Sequence, residues 1–460
     1  MKSSDTKFFG FDPVFSKFIE EIKILESEKG MTLKINGGSL IVHGTLASVC
    51  ADTKGAHEMF GLMSPSADKF CRLCLISRKE ILSHPTAESV DLRNRKDHDL
   101  EVKKAKEFGN QANTGVSNDC LLNGSQSFHV AENYIMDSMH DVLEGIDPFC
   151  IMLCLRFWIT HKPEYGIKAS VLNSRIQRFN FGPYDDKNKP SENFQDVTIK
   201  KIGNYTTKQR ASQQWCLMIK FPLLIGDLVP DDDQHFGLLL KLLDIMDVIF
   251  CPINAIEDTV NLSRMIEEFF ALFKILFPEV NPINKFHHII HYPEILRQNG
   301  PSMGYYWCMR FEAHHNLYKR VSHMNCNFKN VTKSVADHLA LALCSNLQDK
   351  NSFIDKPTSF GPFKCCIFRE LGVMNAEYNI FQNNEEVKTP NWIKIGGWIY
   401  FEDTVVVLQR SIATKTGLPK FAKITKLILN EKDEPFAVVE TLKTIMFQRH
   451  FHSFEVEKRN

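Results

Sequence analysis

The sequence predicts an α/β core interrupted by a long helical segment and followed by a small all-β module. Three observations carry that prediction. A helix, a hairpin and an apolar strand succeed one another before Asp52; apolar residues recur at helical spacing from Phe128 to Leu347; and the last seventy residues fall into short β runs broken by glycine and proline. The expected organisation is a core segment over 1–75, a mostly helical insertion over 76–284, a return to the core over 285–347, a linker over 348–384 and a small β-barrel-like domain over 385–460.

The elements follow from local chemistry. Asp12-Pro13, then Phe15, Phe18, Ile19, Ile22 and Leu25, then Gly30, reads as an amphipathic helix with an acidic N-cap and a glycine stop. Leu33-Lys34-Ile35, the turn Asn36-Gly37-Gly38 and Leu40-Ile41-Val42 read as a hairpin, and the run through Leu46 to Cys50 as a buried strand. Asp52 ends that strand. It reads either as a carboxylate at the mouth of an α/β crevice or as the N-cap of a helix over 54–60, and the local sequence favours the cap about two to one. Residues 76–118 mix charges and read as an exposed connector with one helix. Asp137, His140 and Glu144 lie on one helical face; a polar triad bonded to itself is favoured over a metal site by about two to one. Three apolar helices follow, roughly 211–228, 233–251 and 257–276, and Asp231, Asp232 and Asp233 are assigned to capping the second.

At 460 residues, 43% hydrophobic and 24% charged, the chain can bury a core across two or three domains. Its net charge is zero, so affinity for nucleic acid would come from local basic faces: Lys200 and Lys201, and the helix carrying Lys319 and Arg320. A solvated helix face explains these residues nearly as well. Thirteen scattered cysteines, and no apolar leader in the opening MKSSDTKFF, lead to the expectation of reduced, intracellular thiols. The most apolar run, from Phe149 to Trp158, is too short to span a bilayer.

The chemistry centres on residues 286–315, FHHIIHYPEILRQNGPSMGYYWCMRFEAHH. His287 and His291, one helical turn apart, suit zinc, but zinc takes four ligands and two must come from elsewhere. Cys71-Arg72-Leu73-Cys74 has the bite for one metal ion and is the matching half-site, more than two hundred residues away; two unliganded thiols is the plainer reading, at roughly a third of the weight. His288 rivals His287 as ligand, and local geometry leaves the choice open. A zinc protease would need a glutamate where His288 stands and an open coordination position, so that reading is set aside. Closure of the two half-sites would bring Glu312 near Asp52; carboxylates brought together in this way bind Mg²⁺ in phosphoryl-transfer sites, which need at least three acids where the sequence shows two.

The strings KFHHIIHYPEIL and MRFEAHHNLYKR, with DTKGAHEMFG, CRLC, SFHVAENYIMDSMHDVLEGI and LLIGDLVPDDD, resemble EnSpm/CACTA-type DDE transposases of animal genomes. More distantly the chain is similar to Transib transposases and the vertebrate antigen-receptor recombinase descended from them. The resemblance spreads over most of residues 5–345. It implies an RNase H-like core, Asp52 as second catalytic acid and Glu312 as final acid, both binding Mg or Mn, and structural zinc on Cys71, Cys74, His287 and His291. Asp137 and His140 match a DxxH motif in a supporting role. In that family the first catalytic Asp sits on a strand before the region where this chain starts, so the expectation is an RNase H-like core lacking its first strands and inactive alone. The implied function is a transposon-derived nuclear protein whose ancestral activity is Mg-dependent DNA cleavage and strand transfer. The alternative is a domesticated DNA-binding or protein-interaction protein without catalysis. DNA, as transposon ends or nonspecific duplex, is the expected partner, with a homodimer as candidate assembly and no membrane.

Overall fold

The computed structural model describes residues 8–35, 37–108, 114–300, 302–326, 329–348, 358–372, 380–410 and 417–458. The protein is mixed α/β, about half helical, with a separate small all-β region. It divides into two units: residues 1–177 with 190–314, and residues 178–189 with 315–460.

In the first unit, helix α1 (Asp12–Glu26) buries Ile19 and Ile22. Its cap differs from the expectation, because Phe11 holds the N-cap position and Asp12 is already the first helical residue. The hairpin forms between β1 (Met31–Ile35) and β2 (Gly38–Val42), although Leu40 and Ile41 stay exposed; Asn36 of its turn lies outside the described residues. The buried strand expected to run into Cys50 shrinks to β3 (Val49–Cys50), which pairs in parallel with β4 (Tyr134–Ile135). Asp52 and Asp137 each stand two residues beyond the last residue of these two strands.

Helix α2 (Thr53–Met59) follows Asp52, and α3 (Arg95–Phe108) is the helix expected within 76–118. That segment is not the exposed connector expected of it. Arg93, His98, Val102 and Val116 are buried, because the stretch wraps the cysteine loop and must satisfy its backbone: Arg93 N–H donates to Leu73 O at 2.8 Å and Leu75 N–H to Asp91 O at 2.9 Å. The chain then enters a π-helical segment (Met139–Ile146) that continues into α4 (Asp147–His161). Helices α5 (Ala211–Ile225), α6 (Gln234–Ile249) and α7 (Ile256–Leu276) match the three apolar helices of the sequence. Asp233 caps α6 as assigned, accepting the Phe236 N–H at 2.8 Å.

The histidine stretch is a short helix (Asn284–His288), a tight turn and α8 (Tyr292–Asn299). Its anchor is Phe286. The ring lies 4.8 Å from Phe273, 5.5 Å from Phe149, 5.8 Å from Phe269 and 6.0 Å from Phe270, so an aromatic cluster from α4 and α7 fixes the turn that bears His287. Helix α9 (Met309–Asn325) carries Glu312 in its first turn.

In the second unit, α10 (Val331–Gln348) precedes two antiparallel sheets. One has three strands in the order β5 (Thr358–Phe360), β8 (Ile393–Ile395), β9 (Trp398–Tyr400). The other contains β6 (Phe363–Ile367), β7 (Glu386–Pro390), β10 (Val405–Gln409), β11 (Lys420–Leu429), β12 (Pro435–Gln448) and β13 (Ser453–Lys458), running β13-β12-β11-β7-β6 with β10 also on β11. Among the described residues β13 and β6 do not pair, so the sheet is an open path and not the barrel expected. Residues 358–367, left to the linker by their polar surroundings, belong to these sheets because Cys365 and Cys366 pair across to Lys388 and Val387. Phe368, Phe381, Val387 and Ile428 form one buried cluster, and Ile393, Ile424, Leu427 and Leu429 another. No described helix is long and apolar enough to cross a membrane.

Candidate metal centre and the neighbouring acidic cluster

The two half-sites meet. Cys74 Sγ lies 3.0 Å from His287 Nε2, Cys71 Sγ lies 3.5 Å from His291 Nε2, and the two Nε2 atoms are 3.2 Å apart. One donor atom from each residue falls within 4.8 Å of every other, and all four residues are buried, at 0 to 2% exposure. A tetrahedral zinc ion with bonds of about 2.3 Å to sulfur and about 2.05 Å to nitrogen has S–N edges of about 3.6 Å and an N–N edge of about 3.3 Å. The cluster is close to those edges and is compatible with structural zinc binding.

Local structure explains the aim of each ligand. Leu73 N–H donates to Cys71 Sγ at 3.3 Å, folding the CxxC loop around the sulfur, and Arg93 Nε donates to Cys71 O at 3.1 Å. Phe70 packs edge-on against His287 at 5.5 Å and closes the cluster to water. Burial holds His287 down to about 4, so its imidazole is neutral, the form a metal ligand requires. Burial pushes the Cys71 thiol up, but the hydrogen bond with Cys74 and the imidazoles of His287 and His291 outweigh it and hold Cys71 well below the ordinary thiol range. Burial and that same neighbour then drive Cys74 upward. Two thiols this close carry one negative charge between them, and a bound cation would stabilise the second thiolate as its proton leaves to solvent.

His288 is not a ligand. Its Nδ1–H donates to Asp141 Oδ1 at 2.8 Å, and the Tyr292 hydroxyl donates to Asp141 Oδ2 at 3.1 Å, all three groups being buried. Burial raises the Asp141 carboxyl, yet His288, Arg72 and Lys285 overcome it and keep the carboxyl below its usual range. Lys285 reaches the π-helical segment as well, donating to His140 O at 2.5 Å and to Glu144 O at 3.2 Å. Gly145 makes room for it: a Cβ there would stand 2.3 Å from Lys285 Cδ and 3.0 Å from His140 O. Sequence reasoning missed Asp141, Tyr292 and Lys285. The first two have a signal, since buried histidine and tyrosine require a partner and Asp141 is the acid beside His140, but nothing in the sequence says which acid faces which histidine.

The second cluster lies around Asp137. Asp137 Oδ1 accepts the Cys308 N–H at 2.9 Å and the Met139 N–H at 3.2 Å, while Oδ2 accepts from His140 Nδ1. His140 Nε2 faces Glu144 at 3.7 Å and Glu312 at 3.5 Å. The self-bonded triad favoured from sequence is thus present, enlarged by Glu312. Burial opposes the imidazolium of His140, but the carboxylate of Asp137, the Cys308 thiol and Glu144 lift it to about 10. Cys50 Sγ and Cys308 Sγ are 4.0 Å apart. The hydrogen bond with Cys50, then burial, then the charge of Asp137 push the Cys308 thiol up.

Asp52 takes the plainer of its two readings, capping α2 by accepting the Gly55 N–H at 2.7 Å. The Cys50–Cys308 approach brings the segments bearing Asp52 and Glu312 together. Among the described residues, neither acid joins a group of three or more donors that could hold an ion. Lys200 and Lys201 close a short helix (Asp196–Lys200) of the first unit and are exposed, as are Lys319 and Arg320 on α9 in the second. No model of a known protein family matches the chain, and no curated protein matches it.

Proposed function

We propose that this chain is a transposon-derived, DDE transposase-like protein with an RNase H-like core stapled by zinc, acting on DNA in the nucleus, with Mg-dependent cleavage and strand transfer as its ancestral activity. The observation that carries this reading is the meeting of CxxC and HxxxH across more than two hundred residues. A metal holding those half-sites makes the segments that bear Asp52 and Glu312 neighbours, as a split phosphoryl-transfer site requires. Asp52 and Glu312 are the acids assigned to Mg or Mn, and Lys200, Lys201, Lys319 and Arg320 to the phosphate backbone.

A second reading, a DNA- or protein-binding role without catalysis, is favoured by one observation. Asp52 Oδ1 is engaged with the Gly55 N–H and Glu312 faces His140, so both assigned acids already have partners. One experiment separates the two. Purified protein is incubated with duplex DNA in Mg²⁺ or Mn²⁺ and followed for nicking, joining and retention at rising salt. Salt-sensitive retention with nicking abolished by Asp52→Ala supports the transposase reading and overturns the expectation that the chain is inactive alone; salt-sensitive retention without nicking supports the second. Absence of both, or nicking indifferent to Asp52→Ala, overturns the proposal.

A further inference from the structure

We infer that a second metal site, separate from the Cys71–Cys74–His287–His291 cluster, is formed by Sγ of Cys50, Sγ of Cys308 and a carboxylate oxygen of Asp137, and that it takes a thiophilic divalent cation, zinc in the first instance. The three donor atoms lie within 4.8 Å of one another. Their sulfurs are 4.0 Å apart, against an S–S edge of about 3.8 Å for a tetrahedral ion with bonds of about 2.3 Å. Asp137 and Cys308 are buried and Cys50 is half-buried, so an ion has an entry path beside Cys50.

The carboxylate is already oriented. Asp137 Oδ1 is held by two backbone N–H groups, which take both its lone pairs, and Oδ2 by His140, the outer-shell bonding that fixes a ligating carboxylate while leaving Oδ2 one lone pair for the ion. The three ligands come from three distant points of the chain: the end of β3, the second residue after β4 and the turn before α9. Two sulfurs select zinc or a softer ion over magnesium. Three protein donors leave one position for water or an anion, unlike the closed four-ligand cluster. On binding, the two thiol protons pass to solvent and the sulfurs coordinate as thiolates.

This site does not depend on the transposase reading. Its test is metal content together with thiol footprinting on the full chain. Purified protein equilibrated with zinc should carry two ions. Cys50→Ser and Cys308→Ser should each lower the count to one, with Cys71 and Cys74 still protected from iodoacetamide; Cys71→Ser should remove the other ion independently. On the unmutated chain, which avoids any folding defect of the variants, added zinc should slow alkylation of Cys50 and Cys308 at least tenfold. A single ion lost only with Cys71→Ser, equal alkylation of Cys50 and Cys308 with and without zinc, or recovery of Cys50–Cys308 as a disulfide whatever the zinc level would overturn the inference.

Discussion

The two clusters of the first unit are built from similar residue types and differ in enclosure. Around Cys71 and His287 every donor is buried, Asp141 is bonded to His288 and Tyr292, and burial holds His287 neutral. Around Asp137 the cluster opens to solvent: Glu312 is 48% exposed and Glu144 40%, and His140 is held charged by the acids around it. The first is arranged to hold the chain together. The second keeps polar atoms within reach of water, where an ion or a ligand can arrive.

That contrast makes a ranked set of predictions. The largest effect should come from Cys71→Ser, which removes one of four ligands from the closed cluster: zinc is lost, measured as metal per chain, and the thermal midpoint falls further than for any substitution around Asp137. Next is Asp141→Asn, which leaves His288 in a buried site without its charged partner and should cost about 3–5 kcal/mol in denaturant unfolding. An equal cost for His140→Gln would break the comparison.

The pH dependence should carry opposite signs in the two regions. Burial, followed by nearby charge, holds His57 at about 3 and His98 at about 4, both beside the cysteine loop. A histidine whose folded pKa is depressed destabilises as pH falls below its unfolded value of about 6.5, since the unfolded chain takes up the proton first. His98 alone should therefore cost about 2 kcal/mol between pH 7 and pH 5, and His98→Phe should flatten that limb of the curve. His140, raised to about 10, acts the other way: its contribution is full below about pH 6.5 and is lost as pH rises towards 10, so His140→Gln should flatten the alkaline limb. The smallest effect belongs to Glu312→Gln. Its exposure limits the loss in stability to less than about 1 kcal/mol, and the zinc content should be unchanged.

The sequence by itself determined the pieces. Helical periodicity placed α5, α6 and α7 within a few residues, the Asn-Gly turn marked the hairpin of β1 and β2, and the spacing in CRLC and in HHIIH identified two half-sites for one metal. These are local signals, because dihedral preference, capping and the bite of a ligand pair act over a handful of residues. Only the tertiary structure decided between His287 and His288. Both lie on one short helix, and the choice turns on Phe286 being locked among Phe149, Phe269, Phe270 and Phe273 while Asp141 arrives from another segment to claim His288. It likewise revealed the meeting of Cys50 with Cys308, the turn of Glu312 towards His140 and the burial of Arg93. Each is a contact between residues far apart in the chain, set by how whole elements pack and not by any preference a short stretch of sequence can express.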